Sequence, residues 1–310
     1  MLTAIEDALV AGIELGGTKA LAVLTRGPTV VARTRIPTTD PRTTLDALSS
    51  QLSEWAARGN EFEAIGIGSF GPVGLDPRRS DFGHVTTTPK PGWRNADVRG
   101  HFAQRFDVPI GFDTDVNGAA LAEGRWGASR TCSVHCYLTI GTGIGGGIVV
   151  NGRPVHGLVH AELGHVRVRR RITDTFPGTC PYHGDCVEGL VSGPAIAART
   201  GQSGEHIDRG HPVWDDVAAE LGQLMAMLVL TVSPERIVLG GGVGIGQQWL
   251  LPSIRGAMVE ALGGYVAPID VSTATELIVP AGLGDDAGPL GATAVGLLAA
   301  GETQLDRHGR

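Results

Sequence analysis

The sequence predicts an α/β protein of two lobes with similar build, each opening on a glycine turn that faces a common cleft. Three observations lead there. The chain has 310 residues, enough for two domains of ordinary size. Strand-like and helix-like stretches alternate along it. The opening pattern, Leu9–Leu15, then Gly16–Lys19, then Ala20–Leu24, also recurs in the second half. There it reads Cys136–Ile140, then Gly141-Thr-Gly-Ile-Gly-Gly-Gly147, then Ile148–Val150.

In chain order, residues 9–15 read as an apolar strand, 16–19 as a tight turn, and 20–24 and 29–33 as the strands that follow. A helix is expected over 42–57 and a strand over 63–68. Residues 69–96 are irregular and rich in Pro and Gly, with T-T-T-P-K-P-G-W at 86–93. So long a loop inside a compact domain is usually functional or disordered. Helix 97–106 leads to strand 108–112 and to Asp113-Thr114-Asp115. A further helix then runs to Trp126, with Asp115 as its capping candidate. Beyond the second hairpin come helices at 192–199 and 213–231, a strand at 236–239, the turn Gly240–Val243, a helix over 246–263, a short strand at 278–280 and a small-residue helix over 288–299. Residues 301–310 are polar and expected to fray. The lobes are assigned to 1–114 and 115–287, with the 288–300 helix packing back on the first.

The stretch Val159–Glu188, in the second lobe, carries the densest chemistry. Cys180, His183 and Cys186 fall three apart, with His165 upstream. Two thiolates and two imidazoles complete a tetrahedral zinc set, and four protein ligands leave no open position, so the expected Zn2+ is structural. Pro181 and Gly184 break the chain into turns between the ligands. Glu162 lies three before His165 and Glu188 two after Cys186. A metal pinning loop 160–188 would therefore fix two acids in space. The alternative is a surface loop that happens to be rich in Cys and His.

Composition narrows the function classes. Hydrophobic residues make up 42%, as in a soluble globular protein. A net charge of −7 argues against a general binder of nucleic acid or anionic membrane. No apolar run approaches the ~20 residues of a membrane span. The start M-L-T-A-I-E-D-A-L lacks the features of a signal peptide. Four Cys, two of them in the metal-like cluster, read as a reduced, cytoplasmic chain. Cys132 and Cys136 read as small buried hydrophobes.

Glycine-rich turns after strands present successive N–H groups to phosphate oxygens. Gly16-Gly17-Thr18-Lys19 and the run Gly141, Thr142, Gly143, Gly145 and Gly146 could hold the two ends of a triphosphate; plain hairpin turns are the alternative. Gly141-x-Gly143-x-x-Gly146 matches the dinucleotide fingerprint, but a strand follows where that fingerprint needs a helix. The Walker pattern also fails, because Lys19 follows Thr. Only two of the 25 basic residues are lysines: Lys19, in the first glycine turn, and Lys90, in the 69–96 loop. Asp113 and Asp115 sit at a strand-to-helix junction, where ligands of open α/β sheets gather. An aspartate there can take a proton from a hydroxyl, and phosphoryl transfer needs little more than positioning, charge neutralisation and one such residue. Glu162, His165 and Glu188 suit the hydroxyls of a sugar.

Together these residues resemble the ROK family of sugar kinases, within the actin-like ATPase (ribonuclease H-like) fold, over nearly the whole chain. The resemblance implies a first phosphate turn at Gly12-Ile-Glu-Leu-Gly-Gly-Thr-Lys19 and a second at Gly141–Gly147. It puts the catalytic base at Asp115, within D-T-D-V-N-G-A-A-L-A-E-G at 113–124. It puts the E-x-G-H sugar motif at Glu162–His165, and an adenosine-lining turn at Gly240–Val243, with Gly241 and Gly242. The family commonly has a three-cysteine zinc motif, whereas here the middle ligand is His183 in C-P-Y-H-G-D-C-x-E-G. That variant, with D-T-D-V-N and T-P-K-P-G-W, resembles the bacterial fructokinase branch. The usual Asn-Asp before the helix is Thr114-Asp115 here, and Asn117 is the candidate to supply the missing substrate contact. The implied reaction is ATP- and Mg2+-dependent phosphorylation of a hexose primary hydroxyl, D-fructose to D-fructose 6-phosphate. Glu14 is a candidate to hold Mg2+ through water. The expected partners are the sugar, ATP and a second copy in a homodimer, with neither nucleic acid nor membrane.

Other readings of these residues exist. His160-x-Glu162 ahead of clustered cysteines is similar to the H-x-E signature of zinc deaminases, but no C-x-x-C exists and the phosphate turns would be idle. A DNA-binding repressor of the same family would need a helix-turn-helix ahead of the first strand, which starts by Leu9. The presence of Asp115 argues against a sugar sensor that has lost catalysis, and a kinase for glucose, mannose or an N-acetylated hexosamine is poorly separated from the fructokinase reading by sequence.

Overall fold

The computed structural model describes residues 8–308. Its contacts divide the chain into two compact units. Unit 1 runs to Trp126, takes in Pro154–His160 and resumes at Asp285; unit 2 comprises Gly127–Arg153 and Ala161–Gly284.

In unit 1, β1 (Leu9–Leu15), β2 (Lys19–Arg26) and β3 (Thr29–Pro37) form an antiparallel meander. Helix α1 (Pro41–Ala57) follows, started by Asp40, whose carboxylate accepts the Thr43 N–H, and by Pro41 at the first helical position. Then come β4 (Ala64–Ser69), the two-residue strands β5 (His84–Val85) and β6 (Ala96–Asp97), α2 (Val98–Ala103), β7 (Ile110–Thr114) and α3 (Asp115–Trp126). The sheet order is β3-β2-β1-β4-β7, with β4 parallel to β1 and β7 parallel to β4. Apolar β1 and β4 are buried on both faces, whereas β3 alternates between exposed and half-buried residues, as an edge strand does. The loop at 69–96 is anchored by Trp93, which is fully buried, edge-on to Phe70 at 5.3 Å, and donates its indole N–H to the Thr39 carbonyl at 2.7 Å.

The C-terminal helix, Ala287–His308, packs on β1, β4, β7 and α3. Glycines make this approach close: a Cβ on Gly66 would overlap the Ala292 carbonyl, and one on Gly118 would lie 3.0 Å from the Gly291 carbonyl carbon. The helix thus packs on the first unit. It also holds α3 there, and the contact division falls after Trp126.

Unit 2 repeats the plan. β8 (Val134–Ile140) and β9 (Ile144–Val150) are antiparallel, with short β10 (Arg153–Pro154) beyond β9. After the loop with the Cys/His cluster come α4 (Val187–Val191), α5 (Gly193–Thr200), α6 (Val213–Val232), β11 (Arg236–Gly240), α7 (Gly241–Gly246), α8 (Leu251–Leu262), α9 (Ala274–Leu277) and β12 (Ile278–Pro280). The order β10-β9-β8-β11-β12, with β8, β11 and β12 parallel, matches that of unit 1 strand for strand. The repeated hairpin in the sequence is therefore a repeated sheet. Helix α6 buries Val217, Leu221, Leu224, Met225 and Leu228, a single stripe at helical spacing.

Several boundaries differ from expectation. The turn expected at Gly240–Val243 is the end of β11 and the start of α7, the helix expected over 246–263 is α8 (Leu251–Leu262), and the C-terminal helix runs on to His308 where fraying was expected. The second glycine turn is confined to Gly141–Gly143, because Ile144 through Gly147 already pair with β8; Gly145 and Gly146 face Thr139 and Leu138 across the ladder. The strand expected at 108–112 lies at 110–114, because Asp113 and Thr114 pair with Gly68 and Ser69. Among the described residues, no helix is long and apolar enough to cross a membrane.

Candidate active site

The end of β7 and the start of α3 form a dense acidic junction in unit 1. Thr114 is the true cap: its hydroxyl accepts the Asn117 N–H at 3.0 Å. Asp115, expected as the cap, is instead the first helical residue, half-buried, with Oδ1 accepting the Val116 N–H at 2.9 Å. Asp113 is buried, and its Oδ1 accepts from Thr114 N and from Asn117 Nδ2, both at 2.7 Å. Asn117, the candidate substrate contact, is thus 2% exposed, with its amide donating to Asp113. Through this bond it orders the junction. The other Asp113 oxygen lies 2.9 Å from His156 Nε2.

The first glycine turn joins β1 to β2. Thr38 Oγ1 donates to the Gly16 carbonyl at 2.8 Å, and Lys90 Nζ to the Gly17 carbonyl at 2.5 Å and the Thr38 carbonyl at 3.2 Å. In a trans peptide, carbonyl and N–H point in opposite directions. The N–H groups of Gly17 and Thr18 are therefore turned away from Thr38 Oγ1 and Lys90 Nζ, and Thr18 and Lys19 are exposed. Lys90 fixes this turn from behind, and Lys19 is the lysine left at its mouth. Glu14, two residues ahead of the turn, packs against Gly288; burial raises its pKa, opposed by Lys19 and Arg33.

In unit 2, Gly141 N donates to the Gly143 carbonyl at 2.9 Å, and Gly193 N to the Gly141 carbonyl at 2.8 Å. The Ile144 N–H goes to Glu188 Oε2 at 2.9 Å, which leaves the exposed Thr142 as the tip of the turn. Gly145 and Gly146, expected in the phosphate set, lie in the ladder; Gly146 has no side chain because a Cβ would crowd Leu163 and Leu138. Gly241 adopts φ +77°, with its backbone against Ile140. A Cβ on Gly141 would lie 3.9 Å from Gly242 N, so the second and third glycine turns of the sequence are neighbours.

His165, Cys180, His183 and Cys186 converge, their ligand atoms all within 4.8 Å of one another. Cys180 Sγ lies 3.8 Å from His165 Nδ1 and 3.6 Å from His183 Nδ1, and Cys186 Sγ lies 3.6 Å from His165 Nδ1. Tetrahedral zinc with ordinary bond lengths separates S and N by about 3.5–3.6 Å, so the cluster fits that ion. Burial, then the neighbouring Cys180, pushes the Cys186 thiol up to about 11, a pair of sulfurs that a cation would favour as thiolates. The frame is built from backbone contacts. Cys180 and Gly184 exchange hydrogen bonds at 3.2 and 2.9 Å, and Val187 N donates to the Val166 carbonyl at 2.9 Å. Within E-x-G-H, Gly164 is needed because a Cβ would overlap the Ile144 carbonyl. Glu162 is exposed just ahead of the short 3-10 turn Leu163–His165. The loop between His165 and Cys180 is held by Asp174, which pairs with Arg170 at 2.7 Å and Arg199 at 3.3 Å. Arg199 in turn meets buried Glu220 at 2.9 Å.

Sequence reading missed Lys90 as the holder of the first turn and His156 as the partner of Asp113. Lys90 carried a signal, being one of two lysines, both in loops. His156 carried none, since its partner lies 43 positions away.

The sequence profile described as the ROK family matches residues 10–297. A fructokinase from Pediococcus pentosaceus is 40% identical over 286 residues, covering 91% of this chain and 96% of that one. A fructokinase from Zymomonas mobilis is 41% identical over 295 residues, covering 93% and 96%. The crystal structure of a ROK family glucokinase from Streptomyces griseus, in complex with glucose and AMPPNP, superposes with a TM-score of 0.72 at 28% identity, covering 93% of this chain and 99% of that one. The fold is the actin-like ATPase fold, with its two α/β units.

Proposed function

We propose that D-fructose is the phosphoryl acceptor of this chain, which belongs to the ROK family and is an ATP-dependent sugar kinase. What carries the choice of sugar is the contrast in likeness: 40–41% identity to proteins called fructokinase against 28% to the glucokinase structure. The product is D-fructose 6-phosphate.

Asp115 takes the proton of the sugar's primary hydroxyl as that oxygen bonds to the γ-phosphorus; the bond from phosphorus to the bridging oxygen breaks, and ADP leaves. Thr114 caps the helix in its place, so the Asp115 carboxylate is not committed to that duty. Glu162, His165 and Glu188 hold the sugar. Gly16–Lys19 and Gly141–Gly143 receive phosphates, and Gly241 and Gly242 line the adenosine. Glu14 is the carboxylate assigned to hold Mg2+ through water, and the ion would neutralise phosphate charge.

Zn2+ bound by His165, Cys180, His183 and Cys186 would supply rigidity, since two thiolates quench its Lewis acidity and four ligands leave no site for water. His165 faces the sulfurs with Nδ1, so Nε2, on the other edge of its ring, is the atom assigned to a sugar hydroxyl. The protein is assigned as a homodimer. Incubation with ATP and fructose followed by phosphorus NMR tests the reading: a fructose 6-phosphate resonance supports it, and fructose 1-phosphate or no ester contradicts it.

A further inference from the structure

Residues Pro154–His160 are an excursion. The chain leaves unit 2 at Arg153, joins unit 1 for seven residues, and returns at Ala161, one residue ahead of Glu162. Apolar burial does not hold this segment: Val155, Leu158 and Val159 are 42%, 92% and 63% exposed. Two histidines hold it instead. His160 is buried, and its Nε2 accepts the Val73 N–H at 3.1 Å. His156 Nε2 lies 2.9 Å from Asp113 Oδ2. The two face each other across a tight turn closed by Gly157 N to the Val159 carbonyl at 3.2 Å.

Asp113 is the hub of this arrangement. One of its oxygens orders the first turn of α3 through Thr114 N and Asn117 Nδ2, and the other receives His156. A single buried carboxylate therefore organises both the helix start that carries Asp115 and the segment that leads into Glu162. We propose that His156 is a positioning residue of the sugar site, whose hydrogen bond to Asp113 latches segment 154–160 and so fixes the point from which the chain runs into Glu162. This rests on the kinase reading above for the roles of Asp115 and Glu162.

The latch is charge-dependent. The charged group acting on His156 is Asp113, from β7; His160, across the turn, accepts from Val73 with an unprotonated Nε2. The hydrogen bond to Asp113 raises the His156 pKa above its ordinary ~6.5, against the opposing effect of burial. A raised folded-state value means that the ion pair is complete below about 6.5 and lost as pH rises through the raised value.

Exchange of the 154–160 amides, divided by the intrinsic amide rate at each pH, and sugar KM, both followed against pH, test the proposal in wild type, His156→Gln and His156→Ala. The wild type should show both quantities rising together by about tenfold from pH 6 to pH 9, the scale of one charge-assisted hydrogen bond. Gln keeps an N–H donor at similar reach and does not titrate, so its exchange and KM should stay low and flat. Ala should show fast exchange and a raised KM at every pH, with KM for ATP unmoved in all three. A Gln variant with the wild-type pH profile, or an Ala variant with wild-type exchange, would overturn the latch. If the wild type phosphorylates no hexose, the kinase reading fails while the exchange data still decide the latch.

Discussion

Glu188 Oε2 accepts the Ile144 N–H at 2.9 Å, so the acid that follows the last Cys of the Cys/His cluster is fastened to the residue that ends the second glycine turn. Space there is tight, since a Cβ on Gly143 would sit 2.7 Å from the same oxygen. Gly143→Ala should therefore push the Glu188 carboxylate aside. The displaced atom is the end of a flexible side chain, so the change in Tm should stay below about 4 °C. Sugar KM should rise severalfold. Steady-state kinetics beside a thermal melt check this; an unchanged sugar KM would mean that Glu188 does not touch the substrate.

Asp115→Asn should lower kcat by about 10²–10⁴, the usual cost of removing a general base. Sugar binding, measured by calorimetry, should stay within a few-fold, because Thr114 and Asp113 order the helix start without it. Wild-type kcat in this variant would remove Asp115 from the mechanism.

Lys90→Met should raise KM for ATP by about two- to tenfold, the scale of one or two lost hydrogen bonds, with sugar KM unmoved. The variant loses the donors to the Gly17 and Thr38 carbonyls, which loosens the Gly17–Thr18 peptide while Thr38 still holds the Gly16 and Thr18 carbonyls. A nucleotide titration decides it, and an unchanged KM for ATP would mean that the turn is held without Lys90.

Much of this was legible in the sequence, for physical reasons that differ by element. The repeated hairpin was visible because apolar runs broken by glycine are local signals, and it became two sheets of identical order. The Cys/His cluster was legible from spacing, because C-x2-H-x2-C leaves few ways to fold other than around a point. Contacts between distant positions were not legible. Nothing near His156 announces Asp113, and nothing near Asn117 announces that its amide donates to Asp113. The glycines misled in part. Gly146, Gly66 and Gly118 are there for close packing of chain on chain, which composition cannot separate from turns that approach a ligand. Asp115 as a cap was a plausible local reading that Thr114, one residue earlier, pre-empts.

Zinc should be present at about one ion per chain, consistent with one four-ligand set. Cys180→Ala should lose the ion, lower Tm, and raise sugar KM much more than KM for ATP. The cluster ties His165 to Cys180 and Cys186, between Glu162 and Glu188. Structural zinc in small peptides contributes roughly 10–16 kcal/mol of apparent binding energy, ample to hold this loop. Elemental analysis and kinetics of chelator-treated protein check the coupling; a wild-type sugar KM without zinc would show that other contacts hold the loop.

The central claim, an ATP-dependent kinase whose acceptor is fructose, is tested most directly by ATP-coupled ADP release across a panel of fructose, glucose, mannose and N-acetylmannosamine at fixed MgATP. The account predicts the highest kcat/KM for fructose, with glucose far behind. A clear preference for glucose or N-acetylmannosamine would contradict the assignment of the sugar, and no ADP release with any hexose would contradict the assignment as a kinase.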